Sequence, residues 1–390
     1  MLITYKNKKP ASEIIAKTQK ASLINSSKNI SENKLIYCEN LSALKFLLDE
    51  YRGKINLIYI DPPFATNSNF KIGLDRTSTI SSSIDDKIAY SDKIVGEDFL
   101  EFIRERLVFL KELLSDKGSI YLHIDYKIGH YIKILMDEIF GIENFRNDIS
   151  RIKCNPKNFS RKGYGNIKDM ILFYSKTSNH TWNEPKIKFS KEDKEKLFKK
   201  IDKDGRFYTT IPIHAPGETI NGETGLPWNG VKPPKGRHWR VDIKTLDQWN
   251  SSGLIEWSSN GVPRKKIFMD ERCGKKAQDI LDFKDPQYPS YPTEKNLDLL
   301  KFIIEASSNE GDLVLDCFAG SGTSIFAAQT LNRKWIAIDN SPSAINIIKE
   351  RLSRVAKDLF LESEYSFFQD ESLAQIIITS TKKSKTKCKN

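Results

Sequence analysis

Cysteine is scarce in this chain, and its five copies form no framework. Cys38, Cys154, Cys273, Cys317 and Cys388 are odd in number, widely scattered and contain no CxxC pair. That argues against a disulfide scaffold and gives no support to a zinc site, so no bound metal is expected. Long apolar runs are missing as well. No segment approaches the roughly 18 uncharged apolar residues that crossing a bilayer takes, so no membrane association is expected. The first residues, Met1-Leu2-Ile3-Thr4-Tyr5-Lys6, lack the pattern of a secretory signal, which makes the cytoplasm the expected location. No internal repeat is visible.

What is present fits a globular α/β protein. The 390 residues leave room for one large domain with an insertion, or for two domains. Hydrophobic residues make up 39% and the mean hydropathy is -0.48. The net charge of +11 is concentrated in two places. Residues 146–176 carry eight Lys and Arg against two Asp, and the tail adds Lys382, Lys383, Lys385, Lys387 and Lys389. Those two segments account for the whole excess. A basic segment inside a fold suggests a track for a phosphate backbone; the tail, 379–390, reads as a solvated, disordered end.

The pattern along the chain alternates strand and helix, with one interruption. Ile55–Ile60 is continuous, apolar and ended by Asp-Pro-Pro, which predicts a buried strand. A helix is expected over 41–51 and another over 99–114, stopped by Gly118, with the next strand at 119–124. The pattern then predicts a helix over 128–140 and a strand over 170–174. Residues 65–96 are polar and read as a long surface loop, a candidate lid. From about 182 to 285 the alternation stops in a Pro- and Gly-containing stretch with Trp228, Trp239, Trp249 and Trp257. It resumes with a helix at 297–306, strands at 312–315 and 334–338, and helices at 325–331 and 343–361. The expected architecture is a doubly wound, mostly parallel sheet, whose ligands sit at the carboxyl ends of strands. The expected divisions are 1–181, an insertion at 182–285, a second half at 286–378, and the tail.

Two motifs carry the chemistry, 255 residues apart. Asp316-Cys317-Phe318-Ala319-Gly320-Ser321-Gly322-Thr323 follows an apolar strand, and its glycine turn lets backbone approach a ligand at a helix start. A dinucleotide fingerprint would need a small residue at 325, where Ile325 stands. Asp339 ends the next strand, where a carboxylate can accept hydrogen bonds from ribose hydroxyls. The second motif is Asp61-Pro62-Pro63-Phe64. An aromatic amine is a poor nucleophile because its lone pair is delocalised into the ring. Acceptors for both of its N–H bonds favour a pyramidal nitrogen. Asp61 offers a carboxylate oxygen and Pro62 a carbonyl, while both prolines stiffen the turn and Phe64 can stack on a base. Attack on a sulfonium methyl held by the glycine motif would then be an in-line transfer.

These residues resemble the β-class DNA amino-methyltransferases, the group that includes modification subunits of type III restriction systems and related adenine-N6 enzymes. In that class the Asp-Pro-Pro-aromatic motif precedes the glycine motif, a circular permutation of the methyltransferase order, and the target-recognition region lies between them. The resemblance spans about 35–355. It implies S-adenosylmethionine as cofactor, double-stranded DNA as substrate, base flipping, a companion restriction endonuclease and a homodimer. Tyr37-Cys38-Glu39-Asn40-Leu41 is similar to the family's Gly-Asp-Asn-Leu segment, assigning Glu39 and Asn40 to the cofactor. Tyr291-Pro292-Thr293-Glu294-Lys295 resembles its Pro-Thr-Gln-Lys segment and assigns Lys295 there. The glycine motif contributes Asp316, Phe318, Gly320, Gly322, Thr323 and, beyond it, Asp339. Residues 169–176 resemble a segment beside the target base, with Lys168 in place of histidine. Asp at position 61 favours adenine N6 over cytosine N4. Candidate DNA contacts are Arg161, Lys162, Arg237, His238, Arg240, Arg264 and Lys265. The alternatives are a cytosine-N4 enzyme, an RNA substrate, and a DNA-binding subunit that has lost catalysis.

Overall fold

The computed structural model describes residues 2–27, 30–63, 68–72, 77–78, 87–92, 96–156, 160, 162–272, 274–287, 294–359 and 365–373. The chain divides into two compact units. One comprises Met1–Pro185 with Gln278–Asn390, and the other Lys186–Ala277.

The first unit is built on a ten-stranded sheet. In chain order its strands are β1 (Leu23–Asn25), β2 (Lys34–Tyr37), β3 (Ile55–Ile60), β4 (Leu114–Ile124), β5 (Phe145–Ile152), β6 (Lys168–Ser175), β7 (Ile280–Asp282), β8 (Leu313–Asp316), β9 (Lys334–Asp339) and β10 (Ser366–Asp370). They lie in the order β1-β10-β2-β9-β8-β3-β4-β6-β5-β7. From β10 to β4 every neighbouring pair is parallel. Strand β6 runs antiparallel to both its neighbours, and β1 to β10. The helices are α1 (Ala11–Lys17), α2 (Asn40–Tyr51), α3 (Gly96–Leu113), α4 (Tyr126–Phe140), α5 (Leu297–Ser307), α6 (Thr323–Thr330) and α7 (Pro342–Leu359).

Alternation along the strands explains the two layers. Ile36, Ile58, Ile60, Ile120, Leu122 and Ile338 pack in one cluster with Leu44 and Leu47 of α2, Leu107 and Leu110 of α3, and Leu135 and Met136 of α4. Residues of the opposite parity point to the other face, where the Tyr121 and Ser307 hydroxyls meet at 2.7 Å and bring in α5. Strand β6 is buried along nearly its whole length, as a strand covered on both faces must be. No described helix is long and apolar enough to cross a membrane.

The structure corrects several expectations. Helix α3 ends at Leu113, and β4 begins at once, so Gly118 is no helix stop. A Cβ on Gly118 would come within 2.8 Å of the Ile55 carbonyl oxygen, beside the irregularity in β3–β4 pairing; glycine is needed there for close approach. Within 65–96, expected as a loop, Ser68–Ile72, Thr77–Ser78 and Lys87–Asp92 form a small antiparallel sheet. Asn-Phe-Lys-Ile alternates polar with β-favouring residues and Lys-Ile-Ala-Tyr places Ile and Tyr two apart, signals that the polar composition of the segment masks. Residues 278–285, read as the end of the insertion, belong to the first unit, where β7 pairs with β5.

The second unit contains a four-stranded antiparallel sheet, ordered 200–201, 207–212, 263–268 and 255–257, with a ribbon joining His214–Pro216 to Arg237–Trp239. Its core gathers Ile213, Trp228, Trp239, Leu246 and Ile255. Trp228 and Trp239 are buried with their indole N–H groups satisfied by Asp247 and the Leu226 carbonyl, so these two tryptophans hold the unit together.

Candidate active site

The two motifs meet because β3 and β8 are adjacent parallel strands, with Leu315 opposite Ile58. Asp61 and the 316–323 turn therefore emerge side by side at the carboxyl edge of the sheet, where connections diverge to opposite faces. Lys295, just before α5, places Nζ 2.8 Å from Oδ2 of Asp61, and both side chains are largely buried. The other carboxylate oxygen, Oδ1, is buried and has no hydrogen-bond partner among the described residues. A buried acceptor without a donor is costly and calls for a functional explanation. Pro62 is buried and Pro63 partly so. Phe64 lies outside the described residues, as do 291–293 of the segment preceding Lys295.

The glycine turn is held from both ends. Oδ1 of Asp316 accepts the Phe318 N–H at 2.9 Å, and the Ser324 hydroxyl donates to Oδ2. Burial pushes the Asp316 carboxyl up to about 7 against those hydrogen bonds. Asp339 accepts the Gly320 N–H at 2.8 Å on Oδ2 and the Ser341 N–H at 2.8 Å on Oδ1; burial raises it to about 6. Gly322 sits at φ +74°, and a Cβ there would meet Ile348 of α7 at 2.7 Å, so both backbone and space require glycine. Thr323 starts α6, its hydroxyl 3.0 Å from that of Ser321. Arg351 of α7 donates to the Ser321 carbonyl at 3.0 Å and pairs with Glu294 at 2.9 Å. It thereby ties the turn to the residue beside Lys295.

Arg106 of α3 organises the neighbouring edge, and no sequence motif announced it. Its guanidinium is buried, donates to Oε1 of Glu39 and to Oδ1 of Asn40 at 2.6 Å each, and lies 3.5 Å from the Phe102 ring centroid. Asn40 in turn donates to the Cys317 carbonyl at 2.9 Å, and Phe102 packs at 6.1 Å from Phe318. Glu39 caps α2 by accepting the Ser42 N–H. Glu39 and Asn40 thus stand beside the turn, since β2 pairs with β9 at Tyr37 and Asp339.

Residues 55–350 match the family described as DNA methylase of the N6/N4 type. The chain belongs to the N6/N4 DNA methylase family. It is 41% identical over 330 residues to the type II methyltransferase M.EcaI of Enterobacter cloacae, covering 83% of this chain and 70% of that protein. It is 26% identical to the probable type III restriction-modification enzyme HindVI Mod subunit of Haemophilus influenzae, covering 83% of this chain and 51% of that one, so it spans about half the Mod subunit's length. Among solved structures, PvuII DNA methyltransferase (cytosine-N4-specific) aligns with a TM-score of 0.48 at 13% identity, over 89% of this chain and 99% of that one.

The methyl donor of this DNA methylase family is S-adenosylmethionine. The residues fit such a molecule. Asp339 accepts backbone N–H groups on both oxygens and, partly exposed, keeps lone-pair capacity for hydroxyl donors, and Glu39 has a half-exposed carboxylate. Asp316 likewise accepts a donor on each oxygen but is buried where Asp339 is partly exposed, so it serves as a brace for the cradle.

The candidate DNA contacts of this methylase fare unevenly. Arg161 lies outside the described residues, and Lys162 is exposed. Arg237 and Arg240 are exposed and His238 is half-buried, all on or beside one ribbon, with Arg237 against His214 Nδ1 at 3.2 Å and His238 against the Gly217 carbonyl at 2.7 Å. Arg264 braces Thr210 through two hydrogen bonds, and Lys265 lies over the Trp249 ring at 3.6 Å. Much of the basic 146–176 segment also turns inward. Arg146 bonds Ser175 and the Thr177 carbonyl, Arg151 is fully buried, Lys153 pairs with Asp169, and Lys176 bonds the Lys111 carbonyl. Among the described residues, the basic side chains of this segment left exposed are Lys162 and Lys168.

Proposed function

We propose that this protein methylates the N6 amine of adenine at a specific sequence in duplex DNA, within a restriction-modification system. The observation that carries this reading is the buried Oδ1 of Asp61, without a partner among the described residues, at the end of β3 and directly beside the glycine turn that ends β8. An acceptor oriented by Lys295 and followed by the Pro62 carbonyl suits an amine with two N–H bonds. S-adenosylmethionine, bound along Glu39, Asn40, Phe318, Gly320, Gly322, Thr323 and Asp339, supplies an electrophilic methyl. Asp61 and Pro62 align the amine and Phe64 stacks on the base; Lys295 holds the Asp61 carboxylate in place. A base reaches such a pocket only by leaving its stack.

The compact unit at 186–277 reads the target sequence, with Lys162, Arg237, His238 and Arg240 on phosphates or base edges. The cytoplasm, a companion endonuclease and a homodimer belong to the same reading. Support comes from the Asp at position 61 and from the names of the type II and type III relatives.

The test is incubation with unmethylated genomic DNA and labelled S-adenosylmethionine, followed by nucleoside mass spectrometry. N6-methyladenine is the expected product. N4-methylcytosine would overturn the adenine assignment, and absence of any methylated base would overturn the reading as a whole.

A further inference from the structure

Beside Asp61 runs a row of buried polar side chains that the transfer just described leaves unused. Tyr59, two residues before Asp61 on β3, has its hydroxyl 2.8 Å from Nδ1 of His123 on β4. Nε2 of His123 is 3.2 Å from Oδ2 of Asp169 on β6. Arg151 of β5 approaches the same oxygen at 3.4 Å, pairs with Asp285 beyond β7, and donates to the Phe283 carbonyl at 2.8 Å. Lys153 holds the other Asp169 oxygen at 2.6 Å. Since the sheet order is β3-β4-β6-β5-β7, the row runs across four consecutive strands, β3 to β5, on one face and ends on residues just past β7. His123 and Arg151 are fully buried, and Tyr59 and Asp169 are each 2% exposed.

The protons along the row are fixed. Burial would raise the Asp169 carboxyl, but His123, Lys295 and Lys153 more than offset it and hold it far below the usual carboxylate range. An ionised carboxylate only accepts, so Nε2 of His123 carries the hydrogen. Burial, then the charge of Lys295, keeps that imidazole neutral, which leaves Nδ1 to accept from the Tyr59 hydroxyl. Every bond in the row has one direction. Such a row is expensive to bury, and buried charge networks of this kind often contribute no more stability than apolar side chains of similar volume. Its cost points to a task other than stability.

We propose that His123 is a positioning residue for methyl transfer: with Tyr59 and Asp169 it locks the end of β3 across the sheet, so that Asp61 and its Lys295 partner keep the geometry the amine requires. This rests on the reading of Asp61 as the group that receives the amine. Misplacing a reacting group by about 1 Å costs roughly a hundredfold in rate.

The experiment compares single-turnover methylation of unmethylated genomic DNA with S-adenosylmethionine affinity by calorimetry, on the same preparations of three variants. His123→Leu should slow transfer at least about thirtyfold per cofactor-binding site, with cofactor affinity within about threefold of wild type. His123→Gln, which keeps an amide donor toward Asp169, should recover to within about fivefold. Tyr59→Phe, which removes one oxygen and should fold even if His123→Leu does not, should slow transfer about tenfold. Wild-type rates in His123→Leu or Tyr59→Phe, no rescue by His123→Gln, or parallel loss of rate and cofactor affinity would each overturn the proposal. If wild-type protein methylates nothing, the underlying reading of Asp61 fails.

Discussion

Lys295 and Asp61 form an ion pair of 2.8 Å in which one carboxylate oxygen is taken and the other is left without a described partner. The resemblance assigns Lys295 to the cofactor, and its ammonium also meets the Asp61 carboxylate. Lys295→Met keeps the length of the side chain and removes the charge, leaving Asp61 in a mostly buried site without its cation. Methyl transfer should fall at least about tenfold, while S-adenosylmethionine binds within a few-fold of wild type. Calorimetry beside a rate assay separates the two; loss of cofactor binding with an unchanged rate at saturation would return Lys295 to the cofactor.

Asp61→Ala tests the acid itself. Removing the acceptor should abolish detectable transfer, a loss of about a thousandfold or more, while gel-shift affinity for DNA changes little. Full activity in this variant would sink the proposed chemistry.

Gly322→Ala adds one methyl where φ is +74° and Ile348 would be 2.7 Å away. The left-handed backbone alone costs about 1–2 kcal/mol for a residue with a Cβ, before α7 has to shift. Both the melting temperature and cofactor affinity should drop, the latter at least about tenfold by calorimetry. An unchanged affinity would show that the turn is not part of the cofactor site.

How much of this was legible in the sequence varies with how local the cause is. Strand β3 was readable because Ile55–Ile60 is a continuous apolar run stopped by Asp-Pro-Pro. The glycine turn was readable because its φ values demand glycine. Arg106 was not, since one arginine in an amphipathic helix looks like any solvated charge, and only folding brings Glu39 and Asn40 to it. Arg151 was misread as part of a basic surface for a similar reason. Its partner Asp285 is 134 positions away, and no window of sequence pairs them. Strands β5 and β10 escaped notice because their polar residues break the apolar run, leaving sheet pairing to define them.

Arg106→Leu follows from the same observation. It should free Glu39 and Asn40, lower stability by about 2 kcal/mol because the Glu39 end of the pair is solvent-screened, and weaken cofactor binding. Denaturant unfolding and calorimetry together check both; a stability loss with intact cofactor affinity would confine Arg106 to a structural role.

Asp316 gives a pH signature with a definite sign. Burial lifts its carboxyl from 3.8 in the unfolded chain to about 7 in the fold, with the charges of Asp61 and Asp339 adding to the effect. The folded state therefore holds this proton more tightly than the unfolded state does. Between about pH 4 and pH 7 the native protein binds more protons at this position, so its contribution is fully present below the unfolded value and is lost as pH rises. A shift of that size corresponds to on the order of 4 kcal/mol over the interval. Asp316→Asn removes the titration but leaves a single acceptor oxygen for the Phe318 N–H and the Ser324 hydroxyl, which costs about 1 kcal/mol at every pH. The informative quantity is consequently the slope. Subtracting the variant's denaturant-derived stability from that of wild type should give a difference that falls steadily from pH 4 to pH 7 and then levels. A flat difference would mean that Asp316 is ionised in the fold throughout this range. A rising one would mean that its hydrogen bonds outweigh burial, reversing the direction assigned to this carboxyl.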